Sequence, residues 1–328
     1  MTGKGPTIQE IRATRDAIGG VTLRTPVIRC AALERVIGGG TEVIAKLEFL
    51  QRTGTFKARG ALATLQALTD EQLAAGVTAV SAGNHAIATA FAAREAGTTA
   101  RVVMTRSANP ARIERCRGYG ADVVLADDVH QAFTVAEEIQ ASEGRYFVHP
   151  FDGLHIALGT GTLGLEICEQ VADFDTLVVP VGGGGLISGV ANAVKQLRPG
   201  CDVVGVEPEG ADTMRRSFEA GEPQGVERVT TIADSLGAPF AMPYSFALAA
   251  QHVDRLVMVD DEMLRRTMGF LFRAMKLAVE PACTASTAAL LWPLRDAIRG
   301  KRVVLVMCGS NIDWNTYESL AIFDDGID

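Results

Sequence analysis

Lys57 stands beside Phe56 in Thr53-Gly54-Thr55-Phe56-Lys57-Ala58-Arg59-Gly60-Ala61, a segment that runs directly into the helical pattern ALATLQAL. Most lysines near a helix start are solvated charges. An amine held against an aromatic ring has a second use, because it can condense with a carbonyl. Ser81-Ala82-Gly83-Asn84-His85-Ala86 follows the strand-like VTAV and precedes another helical run. It sets a hydroxyl, an amide and backbone N–H groups at a helix N-terminus, where a carboxylate can bind. A third segment is the run Gly182, Gly183, Gly184 and Gly185, which turns TLVVPV straight into LISGVANAVKQL with Leu186 as the first apolar residue. Four residues without side chains let backbone N–H groups face one point, and with the positive end of the helix they form a site for phosphate. A fourth cluster, Cys308-Gly309-Ser310-Asn311, follows VVLVM.

The owner of the phosphate is constrained by what is missing. No GK[ST] follows the glycines, so this is not a loop for a nucleoside triphosphate. A dinucleotide fingerprint fails there too, since the third glycine of GxGxxG is absent. Gly159-Thr160-Gly161-Thr162-Leu163-Gly164 matches that fingerprint literally, but no clear strand precedes it and no acidic residue ends the following strand. Glu207, at the end of the strand after the glycine run, could accept a ribose, which keeps an NAD-dependent oxidoreductase as a remote alternative. A lysine, a phosphate loop and a carboxylate loop together suggest pyridoxal 5'-phosphate acting on an amino acid, with the lysine forming the Schiff base.

These clusters need strands to hold them. TEVIAKLEFL, VTAV and ARVVMT alternate with helical patterns in the first half, and TLVVPV, CDVVGVE and KRVVLVMCGS do so in the second. Two such series predict an α/β protein of two doubly wound, open-sheet lobes with the site in the cleft between them. A length of 328 residues agrees with two lobes, because single cores stop growing near roughly 250 to 300 residues. Residues 176–194 carry no charge, but Pro180 and the glycine run break them, so they read as strand, loop and helix. A net charge of -8 argues against nucleic acid or acidic lipid as a partner. The six cysteines lack metal-ligand spacing and read as reduced thiols. No apolar export signal opens the chain, so a cytoplasmic protein is expected.

With these motifs in order, the chain resembles the threonine/serine dehydratase-like, fold type II group of pyridoxal-phosphate enzymes, related to the tryptophan synthase β chain. TFKARGA, SAGNHA, GTGTLGLEI, VGGGGLISG, GVEPEGAD, EPA and CGSN stand in the family's order. The resemblance implies a large cofactor-binding domain of residues 1–52 and 154–328 and a small substrate-gating domain of residues 53–153. It implies that Lys57 carries the cofactor and removes the Cα proton. Phe56 would pack on the ring, Gly182 to Gly185 and Leu186 would hold the phosphate, Asn84 would bond the ring hydroxyl, and Cys308 would face the pyridine nitrogen. Ser81, Ala82, Gly83 and His85 would line the substrate carboxylate site. The implied reaction is α,β-elimination from a β-hydroxy-L-amino acid to a 2-oxo acid and ammonia, in a homodimer.

Departures from the family pattern refine this. Ala82 stands where racemases of the group carry an acid/base serine, so a serine racemase-like isomerase is the lesser alternative. A divalent cation in the family is held at the positions of Glu207 and Ala211, but Thr213 replaces an acidic residue. Thr55, Thr160, Ser235 to Pro239, and Ala282-Cys283-Thr284 are atypical and are expected near the substrate. They point to a substrate other than plain threonine, such as phenylserine, a hydroxyaspartate or a hydroxyectoine-derived acid. The chain ends soon after CGSN, so feedback inhibition through a further regulatory domain is not expected.

Overall fold

Strands with every residue buried, such as Val77–Val80 and Thr176–Pro180, have no solvent face, and that pattern belongs to parallel sheets covered on both sides. The structure, a computed structural model describing residues 5–323 and Ile327, contains two of them. In chain order the strands are β1 (Val27–Arg29), β2 (Glu42–Leu47), β3 (Val77–Val80), β4 (Ala100–Thr105) and β5 (Asp122–Ala126). They continue as β6 (Tyr146–Phe147), β7 (Thr176–Pro180), β8 (Asp202–Pro208), β9 (Arg255–Val259) and β10 (Arg302–Met307).

The larger sheet has the order β1-β2-β10-β7-β8-β9, parallel except for the β1–β2 pair. The smaller has the order β5-β4-β3-β6 and is parallel throughout. Each sheet carries its own apolar core. The larger is built on Val178, Val204 and Leu305, and the smaller on Ala79, Val102 and the alanine-rich helix Asn84–Glu95. Parallel strands aim all their carboxyl ends one way. Hence Ser81 after β3, the glycine run after β7 and Cys308 after β10 all emerge toward one side of their sheets. Residues 176–194 are divided between β7 and the helix Gly185–Leu197. Among the described residues, no helix is long and apolar enough to cross a membrane.

The literal GxGxxG lies wholly inside the helix Leu154–Gln170. Its glycines serve helix packing instead. A Cβ on Gly159 would fall 2.4 Å from the Arg59 carbonyl oxygen, and one on Gly164 would fall 2.7 Å from that of Val190. This removes the only literal dinucleotide signal.

Arg59 anchors the lysine-bearing helix Lys57–Gln66 to the body of the protein. Its guanidinium reaches Glu48 (2.5 and 3.1 Å) and Glu166 (2.7 and 3.0 Å), and Lys46 bonds Glu166 at 2.7 Å. All four charged side chains are buried.

Candidate active site

Lys57 is the first residue of its helix, and Phe56 precedes it in the cap position. The turn before them is unusual: Thr53 has φ 70°, a left-handed conformation rare outside glycine, and Gly54 follows at φ 73°. This sharp turn is laced to the end of β10. Phe56 N–H donates to the Cys308 carbonyl (3.1 Å), Ser310 N–H donates to the Gly54 carbonyl (3.0 Å), and Thr55 bridges Gly309. The lysine and the cysteine cluster are therefore one structural unit, although 251 positions separate Lys57 from Cys308. Lys57 Nζ donates to the Pro150 carbonyl at 2.5 Å and lies 5.2 Å from the centre of the Phe56 ring. Burial pushes its amine down to about 8, with Cys308 and Glu280 acting in the opposite direction. That is the shift a nucleophilic or basic lysine needs near neutral pH.

Lys57 borders a cavity of about 300 Å³. One end is formed by Ser81, Ala82, Gly83, Asn84 and His85, at the N-terminus of the helix Asn84–Glu95. His85 is buried, its Nε2–H donating to the Val148 carbonyl (2.8 Å), and burial together with Lys57 lowers it to about 3. It is a neutral wall of the site and carries no charge near physiological pH. His149 is lowered to about 4, chiefly by burial, and its Nδ1 accepts backbone N–H groups of Phe151 and Asp152.

A narrower recess meets this cavity at Lys57, Asn84, Phe151, Gly183 and Ser235. It is lined by Phe56, Gly182, Gly183, Gly184, Gly185, Leu186, Glu280, Ala282 and Cys308. A Cβ on Gly183 would lie 2.4 Å from the Phe151 ring, on Gly185 2.5 Å from the Phe151 carbonyl oxygen, and on Gly182 2.9 Å from the Leu236 backbone. Gly184 has φ 86° and caps the helix Gly185–Leu197. No side chain fits anywhere in the run, so backbone N–H groups and the helix end are what it offers a ligand. A phosphate cradle, an amine of lowered basicity, an aromatic neighbour and a buried thiol therefore surround one recess, and these groups fit pyridoxal phosphate. The Cys308 thiol is raised well above its ordinary range, first by its contact with Cys283 and then by burial, so it stays a neutral thiol.

Glu207 and Ala211, the candidate positions for a divalent cation, are not supported as a metal site. Glu207 spends both oxygens on the helix Thr213–Ala220, accepting from Met214 N–H and Arg215 N–H at 2.8 Å each. Ala211 is buried in the preceding turn, and Asp212 is paired with Arg215 and Arg216. Among the described residues, no group of three His, Cys, Asp or Glu side chains could hold a metal.

Of the atypical positions, Ser235, Gly237, Ala238 and Pro239 line the main cavity and Ala282 lines the recess. Thr160 does not. Its hydroxyl donates to the Gly185 carbonyl at a helix crossing, an effect on packing rather than on a ligand. Several lining residues carry no local signal in the sequence. Arg112 reaches Asp234 (2.5 Å) and the Asn311 carbonyl (3.0 Å) across the cleft, and Val129, Phe133 and Phe240 form an apolar wall. Glu280 lies in the EPA motif, but its partners, Asn84 and Arg112, come from two distant segments.

The sequence pattern of the family described as "Pyridoxal-phosphate dependent enzyme" matches residues 19–309. The chain is 51% identical over 312 residues to phenylserine dehydratase of Ralstonia pickettii, covering 95% of each chain. It is 38% identical to L-threonine ammonia-lyase of Thermotoga maritima, over 96% of this chain and 78% of the other. Among solved structures, maize serine racemase superimposes with a TM-score of 0.91 at 33% identity, over 96% of this chain and 97% of the other. The lysine, its glycine cradle and these likenesses lead to one conclusion: the chain belongs to the pyridoxal-phosphate dependent enzyme family.

Proposed function

We infer that this protein is a pyridoxal-phosphate dependent ammonia-lyase whose preferred substrate is an aromatic β-hydroxy amino acid of the phenylserine type, giving the aryl 2-oxo acid and ammonia. The observation that carries the substrate class is the apolar wall. Val80, Val103, Val129, Ala132, Phe133 and Phe240 line the cavity that Lys57 borders. A phenyl group is stabilised on such a surface through burial and ring contacts, whereas a methyl group leaves much of it uncovered. A hydroxyaspartate would need a cation for its second carboxylate. Arg112 is the cation beside the cavity, and Asp234 and the Asn311 carbonyl already occupy it.

Bound in the recess, the cofactor supplies an electron-withdrawing ring that acidifies the Cα–H of an attached amino acid. Gly182 to Gly185, with Leu186 behind them, would hold its phosphate, Asn84 would bond its ring hydroxyl and Phe56 would lie against the ring. Cys308, kept neutral, offers the ring nitrogen a weak partner and not a full charge. Ser81, Gly83 and the N-terminal backbone of the helix Asn84–Glu95 take the substrate carboxylate, with Ala82 and His85 as uncharged walls. Lys57, once free, is the base that removes the Cα proton, and its lowered basicity leaves a useful fraction unprotonated near neutral pH. Ala82 presents only a methyl group to the cavity, so that position holds no proton for racemisation. The same reading carries a small domain of residues 53–153 set into a large one, and a cytoplasmic homodimer, for which sedimentation of the holoenzyme is the check.

The decisive measurement is 2-oxo acid formation over a panel of phenylserine, threonine, serine and 3-hydroxyaspartate. Phenylserine is expected to give the highest kcat/KM. A clear lead for threonine or hydroxyaspartate overturns the aromatic assignment but leaves the lyase assignment standing.

A further inference from the structure

Two glutamates are buried beside helix starts in the larger half of the molecule, and they are used in opposite ways. Glu207 ends β8 and gives both oxygens to the first N–H groups of a helix, which is what a carboxylate at a helix start does for stability. Glu280 occupies the cap position of the helix Pro281–Leu291, yet its side chain makes no capping bond. Instead Oε1 accepts from Asn84 Nδ2 at 2.7 Å, 196 positions away in sequence, and Oε2 is buried without a hydrogen-bond partner. Arg112 Nη2 is the nearest cation, at 4.0 Å. Residues that forgo a local stabilising bond in this way mark sites shaped by function.

Asn84 is the object of this arrangement. Its Oδ1 accepts from Asn311 Nδ2 (2.7 Å), and Asn311 is itself held to the Thr53 carbonyl (2.9 Å). Its Nδ2 donates to Glu280 and to the Ser235 hydroxyl (3.1 Å), both of which line the recess. With Asn311 donating to the Asn84 Oδ1 and Glu280 Oε1 accepting from Nδ2, Glu280 supports one of the two flips that an asparagine amide could otherwise adopt. The N–H edge is thereby turned to the recess and the carbonyl edge away from it. One amide hydrogen stays on Glu280, and the other can leave Ser235 for a ligand oxygen.

We propose that Glu280 is a positioning residue that fixes the Asn84 amide with its N–H edge toward the cofactor, and so sets the hydrogen bond made to the cofactor's ring oxygen. The proposal rests on the pyridoxal-phosphate reading above. Burial and the nearby Asp234 push the Glu280 carboxyl up to about 7 against the pull of Arg112, as expected for a group kept for a site rather than for an ion pair.

Glu280→Asp separates the two roles, because aspartate is a better helix cap but is one methylene too short to reach Asn84. Measured on the holoenzyme, this variant is expected to keep or raise the melting temperature while the visible band of the lysine-bound cofactor changes position or shape. Its cofactor dissociation constant should rise about tenfold, the equivalent of one lost hydrogen bond. In an Asn84→Ala background, Glu280→Asp should produce no additional change in the band. Glu207→Gln is the control, expected to lower the melting temperature and leave the band alone. A Glu280→Asp enzyme with the wild-type band and wild-type cofactor affinity overturns the proposal, and so does a full additional shift in the Asn84→Ala background. If wild-type protein supplied with pyridoxal phosphate shows no band at all, the functional reading fails instead.

Discussion

Two charged assemblies flank Lys57, one closed and one open. Around Arg59, each of the five guanidinium hydrogens has an acceptor, Lys46 Nζ has three, and all four oxygens of Glu48 and Glu166 accept bonds. Burial works against the charged guanidinium, but Glu48 and Glu166 more than offset it. In the cleft, Glu280 Oε2 has no hydrogen-bond partner, Lys57 has lost basicity to burial, and Asp234 is largely exposed although Arg112 holds it. A structural network closes because an unpaired buried charge costs several kcal/mol. A catalytic site stays open because its missing partners arrive with the ligand. The two lie only two residues apart on one helix, so the rigid one can hold the reactive one in place.

The largest test of this contrast is Lys57→Ala. It should abolish 2-oxo acid formation, by about 10³-fold or more, together with the borohydride-bleachable band. It should leave the melting temperature of the cofactor-free protein at or above wild type, since it removes an amine that burial disfavours. Near-normal ammonia release in this variant would remove Lys57 from the chemistry. Arg59→Met should do the reverse to the fold, leaving Glu48 and Glu166 buried without their cation at a cost of about 3–5 kcal/mol. The denaturant midpoint of the apo protein reads this loss, and an unchanged midpoint would show that the network is not what anchors the helix.

A smaller effect follows from pH. The amine that captures the cofactor must be neutral, and in the folded apo protein Lys57 releases its proton near about 8 instead of at its ordinary 10.5. The rate at which apo protein acquires the visible band should therefore fall about tenfold per pH unit below that value and level off above it. The linked stability has a definite sign. Between about 8 and 10.5 the unfolded chain binds the proton that the folded one has released, so this group's contribution to stability rises with pH across that window. A loading rate independent of pH from 6 to 9 would mean that the amine is not buried in solution.

The same contrast accounts for how much could be read from the chain. TFKARGA, SAGNHA and the glycine run were legible because each is a contiguous strand-to-loop-to-helix passage whose residue types state its chemistry. The closed network and the open cleft were not, because their members meet only through topology. Glu280 and Asn84 are 196 positions apart, and Arg112 and Asp234 are 122 apart. Pattern without context also misled. Gly159, Gly161 and Gly164 spell a nucleotide fingerprint, but lacking a strand before them they fold inside a helix and let it pack tightly on different neighbours. Thr160 looked like a pocket residue for the same reason, its motif being near the site in sequence order while its side chain is committed to a helix crossing.

Phe133 gives the finest probe of the cleft. It lies on the helix Val129–Glu143, which packs on the smaller sheet, and nothing in its local sequence distinguishes it from any apolar helix residue. Only the fold brings it to the wall of the cavity with Val129 and Phe240. If that wall recognises a phenyl ring, Phe133→Ala removes one aromatic contact worth about 0.5–1.5 kcal/mol. That corresponds to a drop of about two- to tenfold in kcat/KM for phenylserine. Threonine, whose methyl group does not extend to the ring's position, should be turned over nearly as before, so the preference between the two substrates narrows. An equal fall for both would mean that Phe133 supports the carboxylate loop or the small sheet and does not read the side chain. The aromatic specificity would then have to come from Phe151 and Phe240, which also line the cavity.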